Sequence, residues 1–497
     1  MSVRFRLDGR EVEVPDDGWS LLAVLRERLG VVTAKDGCSP QGQCGCCTVL
    51  VDGAPRVACV TPARRVAGRD VTTVDALPDR DAWADAFTAC GASQCGFCTP
   101  GIIVRLAALG DRRVDPDAVN TALLAHLCRC TGWRTILDAA AQLGTGAPRR
   151  DWDAAARRAA LEGGVAQRVG PEVALGAGGF AEDTAPADAL VAVLDGNGEW
   201  VVGESLTEAR AAAGKVQGRR TTVAVRHPIE VPPGDWAVTL RTTWVEPAYL
   251  ETDASWCVPG GEPASPLANG GAFGGKIESI APAAARQLAD QHGRAVRVVL
   301  SREDTVRRGP KRPPIAAGVR ADGTGLVRVA RTDGIAFPGF DVEPVDVVGP
   351  PTTAAARAAG WAEAAILRAA ATGVARVESP TGAVASATVD DAGVHIEVDC
   401  GAPLDEIVLR SYCVGAVHMA LGWVRSEGIA VDDAGEPHDL TVRSFGVLRA
   451  RDMPPVDVIV QPSASAPTNG SDAVFAAVAA AAWLADGLPP EWPTRTR

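Results

Sequence analysis

Two groups of cysteines could do chemistry in this chain. Cys38, Cys44 and Cys47 share one short loop, and Cys59 follows beyond the next turn. Cys95-Gly96-Phe97-Cys98 and Cys128-Arg129-Cys130 form the second group. A [2Fe–2S] cluster takes four thiolates, and a C-x₂-C pair with a distant fourth cysteine follows the plant-type spacing. Cys44 and Cys47 keep that spacing, while five residues rather than four separate Cys38 from Cys44. Gly42 offers the backbone freedom to absorb the extra residue. Small residues in such a loop also let backbone N–H groups turn toward an anionic cluster. Structural zinc and a disulfide framework are the competing chemistries, since CxxC pairs also bind zinc. Cys46 neighbours two candidate ligands without a place in a four-thiolate set. Cys90 reads as a small hydrophobe within a helix.

The elements around these residues fall into three parts. Val3, Phe5 and Leu7 alternate with polar residues, Asp8-Gly9 signals a hairpin turn, and Val12 and Val14 resume the alternation. A helix is expected over 19–29, with Gly30 as its stop. The cysteine loop then leads into a strand over 48–51, a turn at Asp52-Gly53 and a return strand over 57–60. From Asp79 the pattern turns helical. Thr99-Pro100 and Asp115-Pro116 each read as an N-cap followed by proline, opening helices over 102–109 and 118–127. A further helix spans 134–143. The positive end of the helix after Cys98 would face an anionic cluster. An antiparallel helix pair would bring Cys128 and Cys130 to the same end. Residues 144–150 form a linker candidate. Beyond it, short strands (189–194, 295–300) alternate with Ala-rich helices (206–216, 472–484). The expected fold is α+β and multidomain. It comprises a β-grasp ferredoxin-like domain over 1–77, a helical cluster-binding domain over 78–148 and an α/β region over 151–497.

Composition narrows the function classes. Of 13 cysteines, ten precede residue 131, which in a chain lacking an export signal points to metal or redox chemistry rather than disulfides. A net charge of −12 makes a nucleic-acid partner a poor match. The stretch Arg307–Arg312 is the nearest thing to a basic block, and a proline breaks it. No apolar run reaches the ~18 residues of a membrane span. The expectation is therefore a cytoplasmic protein with no membrane insertion. The six histidines show no metal-ligand spacing, and His126 reads as packing or capping. No Ser/His/Asp arrangement stands on a motif, so no catalytic residue is assigned.

Three motifs in the first 145 residues carry a resemblance: 44–49 (CGCCTV), 94–101 (QCGFCTPG) and 128–132 (CRCTG). Together they resemble the small iron–sulfur subunit of the xanthine oxidase and aldehyde oxidase family, the molybdenum hydroxylases. The remainder resembles a shortened molybdopterin-binding subunit of that family. The likeness lies in 174–193, 246–251, 296–304, 415–423 and the loop Gly270-Gly271-Ala272-Phe273-Gly274-Gly275-Lys276.

The resemblance implies two [2Fe–2S] clusters, held by Cys38, Cys44, Cys47 and Cys59 and by Cys95, Cys98, Cys128 and Cys130. Gln94 and Cys130, with Gly271, Phe273 and Gly274, would approach a molybdopterin cofactor. The Cys38 cluster would pass electrons toward a flavin. Departures from the family accompany these likenesses. The family's large subunit is roughly twice the length available for it in 151–497, and few residues lie between Pro263 and Asn269, where a long segment is expected. Ser471 occupies the position of the family's catalytic glutamate and cannot act as its base. Asp472 is expected to point elsewhere. The implied function is an electron-transfer oxidoreductase component. Its partner chains would be a molybdopterin-binding catalytic subunit, which carries the chemistry, plus an FAD-binding subunit. A self-contained hydroxylase and a non-catalytic redox or assembly partner are the alternatives.

Overall fold

The computed structural model describes residues 1–146, 150–215, 217–218 and 221–495. Parts of the expected linker (147–149) and the expected helix end at Val216 lie outside the described residues.

The alternation near the N-terminus yields β1 (Ser2–Leu7) and β2 (Arg10–Pro15), an antiparallel hairpin that buries Val3, Phe5 and Leu7 on one face. β3 (Thr48–Val51), β4 (Ala54–Val57) and β5 (Asp70–Thr72) complete a mixed sheet in the order β2-β1-β5-β3-β4. β1 and β5 run parallel at its centre. This is the expected β-grasp. The helix within it is shorter than its periodicity predicts. One α-turn, Leu21–Ala23, capped by Ser20, passes into a π-helical turn, Val24–Arg28. The return strand also stops early. Cys59 sits on a 3₁₀ turn, Ala58–Val60, which breaks the strand alternation and turns its thiol toward the loop.

Four helices follow: Arg80–Ala89, Thr99–Ala107, Pro116–Ala122 and Arg134–Ala141. Asp115 caps its helix as expected, accepting from the Asp117 N–H. The cap before Pro100 differs by one residue. Cys98 itself is the N-cap, with Thr99 already helical, so a thiol stands at the positive helix end.

The remainder builds three four-stranded sheets. Two helices lie at its centre, Glu406–Arg425 and Ser471–Ala485. The second is apolar on every side and wholly enclosed, as such a helix must be in water. The first is long and apolar enough to cross a membrane, in contrast to the expectation of no such run. It is 89 % buried within the protein, which marks it as a core helix. One hydrophobic core cluster runs from Val3 to Trp492, so the two halves share an interior.

Candidate metal centres and the cavity beside them

The cysteine loop folds back against the Ala58–Val60 turn and gathers its thiols. Cys38 meets both Cys44 and Cys59, and Cys59 also meets Cys47. Backbone N–H groups of Gln41 (3.1 Å) and Gln43 (3.5 Å) point at the Cys38 sulfur, and that of Cys59 points at Cys47 (3.4 Å). Hydrogen bonds from Cys44 and Cys59 hold the Cys38 thiol well below its ordinary range. That favours the thiolate a metal needs. In the second group the Cys130 and Cys95 sulfurs are 3.7 Å apart. Cys98 pairs with Cys128, whose thiol is pushed down to about 6 chiefly by the bond from Cys98.

The pairing decides between metals. Tetrahedral metal–thiolate bonds of about 2.3 Å set two sulfurs on one metal about 3.8 Å apart, which matches Cys95 and Cys130. Among the described residues, no three His, Cys, Asp or Glu side chains converge on a single point as mononuclear zinc would demand. In the second set the thiols instead stand two by two, Cys95 with Cys130 and Cys98 with Cys128, as a two-iron cluster requires. All 13 cysteines are free, which removes the disulfide reading. The residues present therefore fit two [2Fe–2S] clusters.

Close backbone packing holds this arrangement. A Cβ on Gly37 would lie 3.1 Å from the Cys46 sulfur and 3.2 Å from that of Cys44, so only glycine leaves the sulfurs their room. Cys46 is thus packed, buried, against the first quartet, where its thiol contacts Cys44. His126, buried and pushed down to about 3 by desolvation, contacts Thr48 (3.1 Å) as a neutral packing group.

The expected pterin contacts gather where the resemblance put them, yet every one is already engaged. The Gln94 amide donates to the Cys130 carbonyl (3.0 Å), the Ser411 carbonyl (3.1 Å) and the Ser411 hydroxyl (3.0 Å). A Cβ on Gly271 would lie 3.1 Å from the Cys95 sulfur, and one on Gly274 would lie 1.9 Å from the Ala355 carbonyl. The loop is therefore wedged between the second quartet and the 355–357 backbone. The Arg357 guanidinium sits 5.8 Å from the Phe273 ring. Arg357 also binds Ser471 Oγ (2.6 Å) and Asp472 (2.8 Å). Asp472 thus faces the same guanidinium as Ser471, contrary to the expectation that it would point elsewhere. The helix begins at Ser471, which brings both side chains to Arg357.

Buried ion pairs occupy the space between. Arg129 grips Glu427 through two bonds (2.6 and 2.8 Å), Lys276 meets Glu251 (2.7 Å) and Lys311 meets Glu246 (2.9 Å). Arg312 meets Glu363 (2.7 Å) and stacks 3.9 Å over Trp423. What remains is a cavity of about 10 Å³ at Cys95, Cys130 and Gly271 and another of about 30 Å³ at Arg129, Phe273 and Arg357. One water needs roughly 10–15 Å³, while ligand pockets run to several hundred. The residues do not fit a molybdopterin. They leave room for single waters, which suit the unbonded oxygens of Glu246 and Glu251.

Sequence reasoning missed these pairs. Arg129 and Glu427 are 298 residues apart, and no local motif links them.

Comparison with known proteins bears on both halves. Residues 5–67 match the 2Fe-2S iron-sulfur cluster binding domain, and 73–141 match a [2Fe-2S] binding domain. The nicotinate dehydrogenase small FeS subunit of Eubacterium barkeri is 37 % identical over 118 residues, covering 23 % of this chain and 74 % of that one. The nicotine 6-hydroxylase small subunit of Paenarthrobacter nicotinovorans is 37 % identical over 153 residues, covering 29 % and 92 %. Aldehyde oxidoreductase of Megalodesulfovibrio gigas is 40 % identical over 146 residues. That match spans 27 % of this chain and only 16 % of the relative. By structure, the chain superposes on the aldehyde oxidoreductase of Desulfovibrio gigas with a TM-score of 0.70 at 14 % identity, covering 100 % of this chain and 99 % of that one. The last likeness is one of fold.

Proposed function

Because the chain belongs to the xanthine dehydrogenase and aldehyde oxidoreductase family of molybdenum hydroxylases, we propose that it is an electron-transfer component of that family. Two [2Fe–2S] clusters, held by Cys38, Cys44, Cys47 and Cys59 and by Cys95, Cys98, Cys128 and Cys130, would supply one-electron storage. The molybdopterin centre and the flavin that exchange electrons with it would reside on partner chains. The observation that carries this reading is the contrast in space: paired thiols on one side and a filled cavity on the other.

The chain's own residues do the supporting work. They deliver four thiols to each site, aim backbone N–H groups at sulfur, and exclude water by burial. Hydrogen bonding to sulfur and low solvent access are the levers by which a protein sets a cluster's potential. The second region holds the first in place: Ser411 fixes Gln94, and Glu427 fixes Arg129. No proton-transfer group is required of it, in keeping with serine at position 471.

The test is anaerobic purification of the full chain from a host that makes molybdopterin, followed by metal analysis and EPR. Iron near four per chain, two distinct [2Fe–2S] signals and negligible molybdenum are the expected result. Stoichiometric molybdenum with turnover would establish the self-contained hydroxylase. A colourless, zinc-loaded protein would refute both.

A further inference from the structure

We infer that Cys46 is a reserve ligand of the first cluster, placed to take over the iron held by Cys44. This rests on the cluster assignment above and adds a fifth sulfur to that site.

The sulfur is in position. Cys46 is 1 % exposed, and its thiol contacts that of Cys44. A Cβ on Gly37, the residue before Cys38, would meet both sulfurs, at 3.1 Å and 3.2 Å, so the two converge beside the start of the loop. The thiol contacts run in a line: Cys46 to Cys44, Cys44 to Cys38, Cys38 to Cys59 and Cys59 to Cys47. Cys46 adjoins one end of that line, and Cys44 is the ligand it touches.

Packing does not account for this thiol as it does for others. Cys257 donates to the Val258 and Gly261 carbonyls (3.2 and 3.3 Å), and Cys413 lies inside the Glu406–Arg425 helix. The Cys46 thiol reaches the Cys44 carbonyl only at 3.9 Å and lies near the sulfurs of Cys38, Cys47 and Cys128. A soft sulfur donor beside iron is the ligand that a vacated thiolate position selects.

The backbone permits the exchange. Neighbouring side chains in a strand point to opposite faces. Cys46 and Cys47 instead occupy the centre of a turn closed by the Thr48 N–H on the Gly45 carbonyl (3.1 Å). The loop before them has slack. Six residue steps from Cys38 to Cys44 would span about 20 Å if extended, yet the two thiols touch, and Ser39 and Gly42 take left-handed turns (φ +54° and +70°). In the exchange the Cys44–iron bond breaks as a Cys46–iron bond forms. The Cys46 proton passes to the departing Cys44 sulfur, and no electron moves.

The test uses the full chain, purified anaerobically, with iron content and EPR as readouts. The wild type should hold about four irons and show two signals. Cys44→Ala should keep that iron, with the first signal shifted and the second unchanged. Adding Cys46→Ala should halve the iron and remove the first signal alone, while adding Cys90→Ala instead should change nothing further. Cys59→Ala, at the far part of the line of contacts, should halve the iron even with Cys46 present. Cys44→Ser is the second variant, should the alanine disturb folding, and it too should keep a shifted first signal. In an iron-replete wild type background, any of four results overturns the inference: loss of the first signal from both Cys44 variants, a first signal that Cys44→Ala leaves unshifted, its survival when Cys44 and Cys46 are both alanine, or equal rescue of Cys59→Ala. A wild type without iron overturns the cluster assignment instead.

Discussion

Residues 1–146 and residues 150–495 share one interior and differ in what they gather. The first region gathers eight thiols at two places, with backbone N–H groups aimed at Cys38 and Cys47 in one and at Cys128 and Cys130 in the other. The second is packed closed at the seam, its Glu427, Glu251, Glu246 and Glu363 each taken up by a buried arginine or lysine. Packing preserves a scaffold whether or not a ligand is bound, whereas a site persists only if its donor atoms do. The same Gly271 that would let a pterin approach instead lets the backbone press on the Cys95 sulfur.

The sharpest way to break this contrast is at the thiols. Cys98→Ser should halve the iron and abolish one EPR signal while sparing the other, because the Cys98 thiol bonds to Cys128 of the second quartet. Loss of both signals would refute the pairing. Next in size is the filled cavity. Glu427→Gln strands Arg129, whose side chain is 4 % exposed, and should cost roughly 3–5 kcal/mol in denaturant unfolding. The double replacement Arg129→Met with Glu427→Met should recover most of that loss. A near-neutral Glu427→Gln would mean the cavity is open and wet. A smaller effect is expected at the seam. Gly271→Ala forces a side chain at φ +79° and within 3.1 Å of the Cys95 sulfur. It should cost about 1–3 kcal/mol and perturb the second signal alone.

The gentlest probe is acid. His418 is buried, and desolvation followed by the Arg129 charge pushes it down to about 4. A histidine with a lowered folded-state value stabilises fully above its unfolded value of about 6.5. That contribution fades as pH falls from there toward 4, at up to roughly 1.4 kcal/mol per pH unit. His418→Gln should flatten this limb of the stability profile. An unchanged limb would place the acid sensitivity elsewhere.

Much of the first region was legible because its information is local. A C-x₂-C pair, a Gly-rich loop and an Asp-Gly turn each fix their own geometry within a few residues. The errors there were local too. Cys98 caps its helix, not Thr99, since proline is tolerated throughout the first helical turn. Cys59 left the strand because a 3₁₀ turn was needed to reach Cys38 and Cys47. The closed cavity was not legible, because each pair that fills it joins distant segments. Nothing near Ser471 in the chain announced that Arg357 would claim its hydroxyl.

The glycine seam also sets a calendar. Val414 and Gly415, on a helix made late in synthesis, lie against Gly132 and Cys130, made early. Once that helix docks, the Cys130 segment is covered on that side, so a metal entering from there has to arrive while the ribosome still holds the later half.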